Sequence, residues 1–149
     1  MISLPAFLRR HRRIALDTSV FIYQLEAHPR YARFTDAVFS RLELPGWSAV
    51  TSTITLTELL VQPYRDSLQD RADEIFALLT TFPNLEWIAP SLDIADRAAR
   101  IRAEHRLRTP DALQAATAVH SGASGLITND PVFERVAEFQ SLVLDRLAE

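Results

Sequence analysis

Apolar positions along the chain fall into two kinds of run. Short runs rich in β-branched residues, Ile14–Asp17, Trp47–Ile54, Leu85–Ala89, Gly125–Thr128 and Leu142–Leu144, read as buried strands. Between them stand longer segments with helical spacing. Ser19–Glu26 precedes the His28-Pro29 break, and Ala32–Leu44 repeats through Phe34, Ala37, Val38 and Leu42 until Pro45-Gly46. A helix opened by Thr55 is expected to stop at Pro63. Ser67–Phe82 carries Ile75, Leu78, Leu79 and Phe82 and ends at Pro83-Asn84. Pro90-Ser91 leads into a helix through Ile94, Ala98 and Ile101. Ala112–Val119 is apolar on nearly every side, as a buried helix is. Asn129-Asp130-Pro131 introduces a short helix through Phe133 and Val136. Strands alternating with helices predict one parallel sheet covered on both faces, because parallel crossovers place helices outside it. No internal repeat, linker or low-complexity segment interrupts the order.

Residues 1–13 sit apart from this alternation. They carry four arginines and no acid, and the expectation is a basic, solvated arm followed by one domain over 14–149, with RNA contact as the arm's sharper reading. A chain of 149 residues suits a single domain. Its net charge of −3 argues against a uniformly basic nucleic-acid binder but leaves room for a local patch. All 16 basic residues are arginine. Cys is absent, which excludes disulfides, thiolate metal sites and Cys nucleophiles. No apolar run approaches the roughly 20 residues that cross a bilayer. The N-terminal charges follow the apolar stretch instead of preceding it, the wrong order for a secretory signal, so a cytoplasmic protein is expected.

Four acids occupy equivalent places in the predicted elements. Asp17 ends the first strand, Glu58 lies in the first turn after the second, Asp111 in the first turn of the buried helix, and Asp130 after the fourth strand. Each has an ordinary structural explanation. Thr55-x-x-Glu58 spells a capping box. Asp111 complements a helix dipole behind Thr109 as N-cap and Pro110 at the first helical position. Asp130 before Pro131 is an N-cap. Together they carry more weight. A parallel sheet brings its strand C-termini to one edge, where ligands of open α/β sheets bind. Carboxylates gathered there repel one another and raise some pKa values unless a cation neutralises them. Oxygen donors without Cys or nearby His suit Mg²⁺ or Mn²⁺, and such an ion promotes phosphodiester hydrolysis without a covalent intermediate.

The stretches Leu16-Asp17-Thr18-Ser19-Val20, Thr55-Leu56-Thr57-Glu58-Leu59-Leu60, Thr109-Pro110-Asp111-Ala112-Leu113-Gln114-Ala115-Ala116 and Thr128-Asn129-Asp130 resemble, in order and spacing, the successive motifs of PIN-domain ribonucleases, in particular the VapC toxins of bacterial toxin–antitoxin pairs. The resemblance runs from about Ile14 to the C-terminus. It implies a three-layer α/β/α sandwich with a central parallel sheet of about five strands, and a Mg²⁺- or Mn²⁺-dependent endoribonuclease. Asp17, Glu58, Asp111 and Asp130 match the family's acidic, metal-holding quartet. Thr18 or Ser19, and Thr128, match its supporting hydroxyls. The resemblance further implies an RNA substrate, a homodimer, and a VapB-like antitoxin whose tail occupies the active-site groove. The thirteen residues before the first strand depart from the family's pattern.

Other residues are expected to be structural. His11, His28, His105 and His120 lack metal-ligand spacing and read as surface or helix-end residues. Phe21, Tyr23, Phe76, Phe82 and Phe133 read as core, Arg33 and Arg41 as solvated. Asp93, early in the helix after the third strand, reads as a helix-dipole acid, with a fifth acid of the site as its alternative, whereas Arg106 and Arg108 are placed to meet substrate phosphates. The alternative function is a PIN-like module that binds RNA or protein without cutting. A receiver domain would need a Lys, and a haloacid-dehalogenase-type phosphatase an Asp where Ser19 stands.

Overall fold

The computed structural model describes residues 2–147. In chain order the elements are α1 (Leu4–Arg10), β1 (Arg13–Leu16), α2 (Thr18–Leu25), α3 (Ala32–Leu42), β2 (Ser48–Ser52), α4 (Thr53–Arg65) and α5 (Gln69–Thr80), then β3 (Leu85–Ile88), α6 (Leu92–His105), α7 (Thr109–His120), β4 (Gly125–Thr128) and β5 (Gln140–Val143). Short 3₁₀ turns cover Pro131–Arg135 and Leu144–Leu147. All pairings are parallel, and the strand order is β3-β2-β1-β4-β5. Chain direction therefore reverses its walk across the sheet between β1 and β4, the position at which ligands of open α/β sheets bind.

Alternation along each strand divides the core in two. Ile14, Leu16 and Ile127 face one layer, against Phe7, Phe21, Val38, Phe39, Ile75 and Leu79 of the first five helices. Ala15, Val50 and Leu126 face the other, against Ile94, Ala98 and Ile101 of α6 and the alanines of α7. This is the predicted three-layer sandwich. Among the described residues, no helix is long and apolar enough to cross a membrane.

The largest correction concerns the N-terminus. The expected solvated arm is a helix, capped by Ser3 and burying Leu4, Phe7 and Leu8 in the first core layer. Leu4, Phe7 and Leu8 follow the i, i+3, i+4 rule of a helix face, and each fully buried side chain of this kind contributes about 1.5–3 kcal/mol. The helix also dictates a glycine. A Cβ on Gly125 would lie 2.7 Å from Phe7 Cζ and 2.9 Å from His11 Cγ, so β4 begins with the one residue that lets α1 approach. His11, read as a surface or helix-end residue, does close α1 as its C-cap, but it is 6% exposed, lies tilted against the Phe7 ring and bridges Ser124 and Gln140.

Smaller corrections follow from capping. Ser52, not Thr55, caps α4, its hydroxyl accepting from the Ile54 amide; Thr55 is buried at the third helical position and no capping box forms. Helix α4 passes Pro63 to Arg65, because the bond from the Asp66 amide to the Gln62 carbonyl still closes its last turn. Arg108, not Thr109, holds the N-cap position of α7, and Pro110 follows at the second helical position. Phe76 is half exposed and lies outside the core, since α5 turns that face to solvent.

Candidate active site

Asp17 stands one residue past β1, where its amide still bonds to the Ile127 carbonyl of β4 at 3.1 Å. It is thus the N-cap of α2 as well as the end of the strand ladder. One carboxylate oxygen accepts from the Thr18 amide at 2.8 Å. The other accepts from the Thr128 hydroxyl at 2.7 Å, with Ser19 Oγ at 3.4 Å. Burial pushes Asp17 up to about 6, well above its ordinary 3.8. The Thr128 and Thr18 hydrogen bonds oppose that rise, and the negative charges of Asp111 and Glu58 add to it.

The other three acids arrive from separate elements. Thr128 ends β4, and its hydroxyl also accepts from the Asp130 amide at 2.9 Å. One side chain thereby fixes Asp17 and the backbone of Asp130. Asp130 caps the following 3₁₀ turn, accepting from the Val132 amide at 3.0 Å, so its expected capping role is present. Asp111 lies in the first turn of α7, with Arg108 Nε 3.5 Å from its carboxylate. Burial raises Asp111 above the usual range; Arg108 opposes that shift and Asp130 reinforces it. Glu58, on α4, accepts from the Thr18 hydroxyl at 2.9 Å. Asp17 thus feels the charges of Asp111 and Glu58, and Asp111 that of Asp130, though no two of the four are joined by a hydrogen bond. Asp93 is elsewhere. It borders a shallow depression with Arg97 and His120, and His120 is about 13 Å along α7 from Asp111.

Buried like charges favour either protonation or a counter-cation. Among the described residues, no three acidic or imidazole groups close into a ready-made coordination shell. The donors that do converge, carboxylate and hydroxyl oxygens with no sulfur, fit a hard divalent ion that keeps several of its own waters. Mg²⁺ is commonly held in that way, through one or two carboxylates.

Two residues of the site escaped sequence reasoning. Gln114 is 3% exposed and connects α7 to the start of α4 through Thr55. Asn129 donates to the Tyr23 hydroxyl at 2.9 Å and accepts from the Asp145 amide at 2.7 Å, tying the loop between Thr128 and Asp130 to α2 and the C-terminal turn. A buried polar residue three positions after Asp111 was a readable signal for Gln114. Asn129 offered none, because its partners are distant in sequence.

Comparison with known proteins places this geometry in context. VapBC2 of Rickettsia felis, solved with a fragment of its promoter DNA, superposes with a TM-score of 0.69 at 19% identity, over 88% of this chain and 98% of that one. VapC20 of Mycobacterium tuberculosis, a toxin that cleaves the sarcin-ricin loop, gives 0.66 at 17% identity, over 85% and 98%. VapBC-5 of the same organism gives 0.59 at 26% identity, over 89% and 98%. No protein of curated function matches by sequence search. The likeness to these structures is one of fold, and the sequence itself supplies the family. The PIN domain pattern matches residues 14–139, from β1 to just before β5 and across all four acids, and the chain belongs to the PIN domain family.

Proposed function

We propose that this protein is a Mg²⁺- or Mn²⁺-dependent endoribonuclease and the toxin of a type II toxin–antitoxin pair. The observation that carries the reading is the state of Asp17, a carboxylate at the switch point fixed by two short hydrogen bonds, its pKa raised chiefly by its burial, with smaller contributions from Asp111 and Glu58. Folding leaves this unfavourable charge in place, and a bound divalent ion would relieve it. Asp17, Asp111 and Asp130 would hold the ion directly or through water, and Glu58 either completes that set or takes the proton of the attacking water. When bound, the ion supplies Lewis-acid polarisation of the scissile phosphate. Thr128 and Thr18 keep the Asp17 oxygens aimed into the crevice, and Thr18 aims Glu58. Ser19 adds a longer contact to the same carboxylate.

The toxin assignment is supported by the VapBC complexes and the VapC toxin to which the chain is similar. The same likeness supports a VapB-like antitoxin as partner, and the motif resemblance implies a homodimer. A groove of about 330 Å³ between α2, α4 and α5, which includes Glu58, has an apolar floor of Ile22, Leu25, Leu59 and Ile75 edged by Glu26, Asp66 and Arg71, and is the seat we assign to an antitoxin tail.

Purified protein incubated with total RNA should cut at a small set of positions with Mg²⁺ or Mn²⁺ and at none with chelator, as read by mapping of cut ends. RNA binding that ignores chelator, with no cleavage under either ion, would replace this reading with a non-catalytic PIN module.

A further inference from the structure

Four acids that repel one another need something to hold their helices in register, and the buried side chains behind them provide it. Gln114 follows Asp111 by three residues on α7, on the same side of the helix. Its Nε2 donates to Thr55 Oγ1 at 2.6 Å, and its Oε1 accepts from the Ser52 amide at 3.3 Å. Thr55, fully buried, precedes Glu58 by three residues on α4. Thr55 Oγ1 also lies 2.7 Å from Thr51 Oγ1 and 3.2 Å from Thr18 Oγ1. Thr51 donates to the Leu16 carbonyl at 2.9 Å, and Thr18 reaches Glu58 Oε1 at 2.9 Å.

Each hydroxyl has one proton, and that fixes the direction of the chain. The Thr51 proton is committed to the Leu16 carbonyl, which can only accept. Thr55 must therefore be the donor in its bond to Thr51, and towards Gln114 and Thr18 it can only accept. The Thr18 proton then has two possible destinations, Thr55 and Glu58. The carboxylate is the stronger acceptor and the nearer one, at 2.9 Å against 3.2 Å. The Thr18 proton goes to Glu58.

We propose that Gln114 is a positioning residue for the acidic crevice. Its bond to Thr55 ties the helix bearing Asp111 to the helix bearing Glu58, and the Thr55 hydroxyl fixed by that bond packs against the Thr18 hydroxyl that holds Glu58. Without that bond the buried link between α7 and α4 behind the acids is weakened, and Glu58 and Asp111 lose their common register. This inference rests on the nuclease reading, and its test separates the two.

The full-length protein would be prepared unaltered and as Gln114→Met, Thr55→Val, Thr55→Ser and Ile101→Ala. Ile101 is a buried α6 residue outside the network and serves as a control for general loss of stability. Mn²⁺ affinity would be measured by calorimetry, and kcat and KM on one defined RNA. Gln114→Met and Thr55→Val should each weaken Mn²⁺ binding about tenfold and lower kcat by a similar factor at unchanged KM, as loss of groups that orient ligands does. Thr55→Ser, which keeps the hydroxyl, and Ile101→Ala should stay at the level of the unaltered protein. Should Gln114→Met fail to fold, Thr55→Val reads the same chain. Unchanged Mn²⁺ affinity in the two network variants, or an equal loss in Ile101→Ala, overturns the positioning role. An unaltered protein that neither binds Mn²⁺ nor cuts RNA overturns the nuclease reading first, before any substitution is compared.

Discussion

At their amino ends, β1 and β4 are finished by groups that satisfy one another. Arg13 donates to the Ser121 carbonyl at 2.8 Å, to Ser48 Oγ at 3.1 Å and to Glu86 at 2.6 Å. His11 lies between Ser124 Oγ at 2.7 Å and Gln140 Oε1 at 2.6 Å. Because Arg10 also donates to Gln140 Oε1, the His11 Nε2 facing it carries a proton. At their carboxyl ends, the same two strands are finished by Asp17, Thr128 and Asp130, with Asp111 and Glu58 brought in from α7 and α4. One edge pairs donors with acceptors and opposite charges; the other gathers like charges around a buried carboxylate. Substitutions at the amino edge should therefore act on stability and leave chemistry alone. Those at the carboxyl edge should do the reverse, and can even stabilise.

The largest effect that can break this contrast is expected from Asp17→Asn. Cleavage should fall on the order of a thousandfold, as when a preorganised electrostatic group is removed. With chelator present, however, the variant should be more stable than the unaltered protein at neutral pH. Asp17 titrates near 6 when folded and near 3.8 when unfolded, so between those values the folded state holds the extra proton. The Asp17 contribution to stability is then fully present below about 3.8 and is lost as pH rises through 6. Two pKa units correspond to about 3 kcal/mol, from which loss of the Thr128 bond to a carboxylate subtracts about 1. Melting curves in chelator should show the variant's advantage growing across that window and levelling above it. An advantage that does not vary with pH would mean that Asp17 is not strained, and the contrast between the edges would fail.

The second test belongs to the amino edge. Phe7 is fully buried, so Phe7→Ala should cost about 3–5 kcal/mol and lower the melting temperature by about 10 °C or more. Cleavage per folded molecule should not change, because α1 contributes no group to the crevice. A fall in kcat measured well below the melting transition would show that the two edges are coupled through β1 and β4.

The unequal legibility of the two edges has a physical cause. Asp17, Glu58, Asp111 and Asp130 could be read because polar residues at predicted strand ends and helix starts stand out against apolar runs, and parallel topology alone brings such positions to one side. Strand alternation and the buried α7 were visible for the same reason. Helix α1 was obscured by Arg9, Arg10, Arg12 and Arg13, although Ser3 and the Leu4, Phe7, Leu8 spacing already encoded its cap and its buried face. The start of α4 was ambiguous because Thr51, Ser52, Thr53 and Thr55 can all cap. Only tertiary packing against Gln114 and Thr18 determines that Ser52 caps while Thr55 is buried. His11 and Asn129 were opaque because they bond to residues as far as 129 positions away, whereas Gln114 stood out as a polar residue in an apolar helix and only its partner Thr55, 59 positions earlier, could not be read.

The smallest expected effect compares the two edges' arginines. Arg13 is about one-third exposed and reaches three partners, whereas Arg108 is 81% exposed and lies 3.5 Å from Asp111. An ion pair that open to solvent contributes little to stability, so Arg108→Gln should change unfolding free energy by no more than about 0.5 kcal/mol. Its effect should appear in RNA binding instead. As a cation at the rim of the crevice, Arg108 can neutralise one phosphate, and its removal should make the slope of log Kd against log salt shallower by about one. The same substitution removes the charge that holds Asp111 down, so Asp111 should shift further upward and activity should need a higher pH. A melting point several degrees lower with an unchanged salt slope would instead class Arg108 with Arg13, as a structural tie that happens to sit at the carboxyl edge.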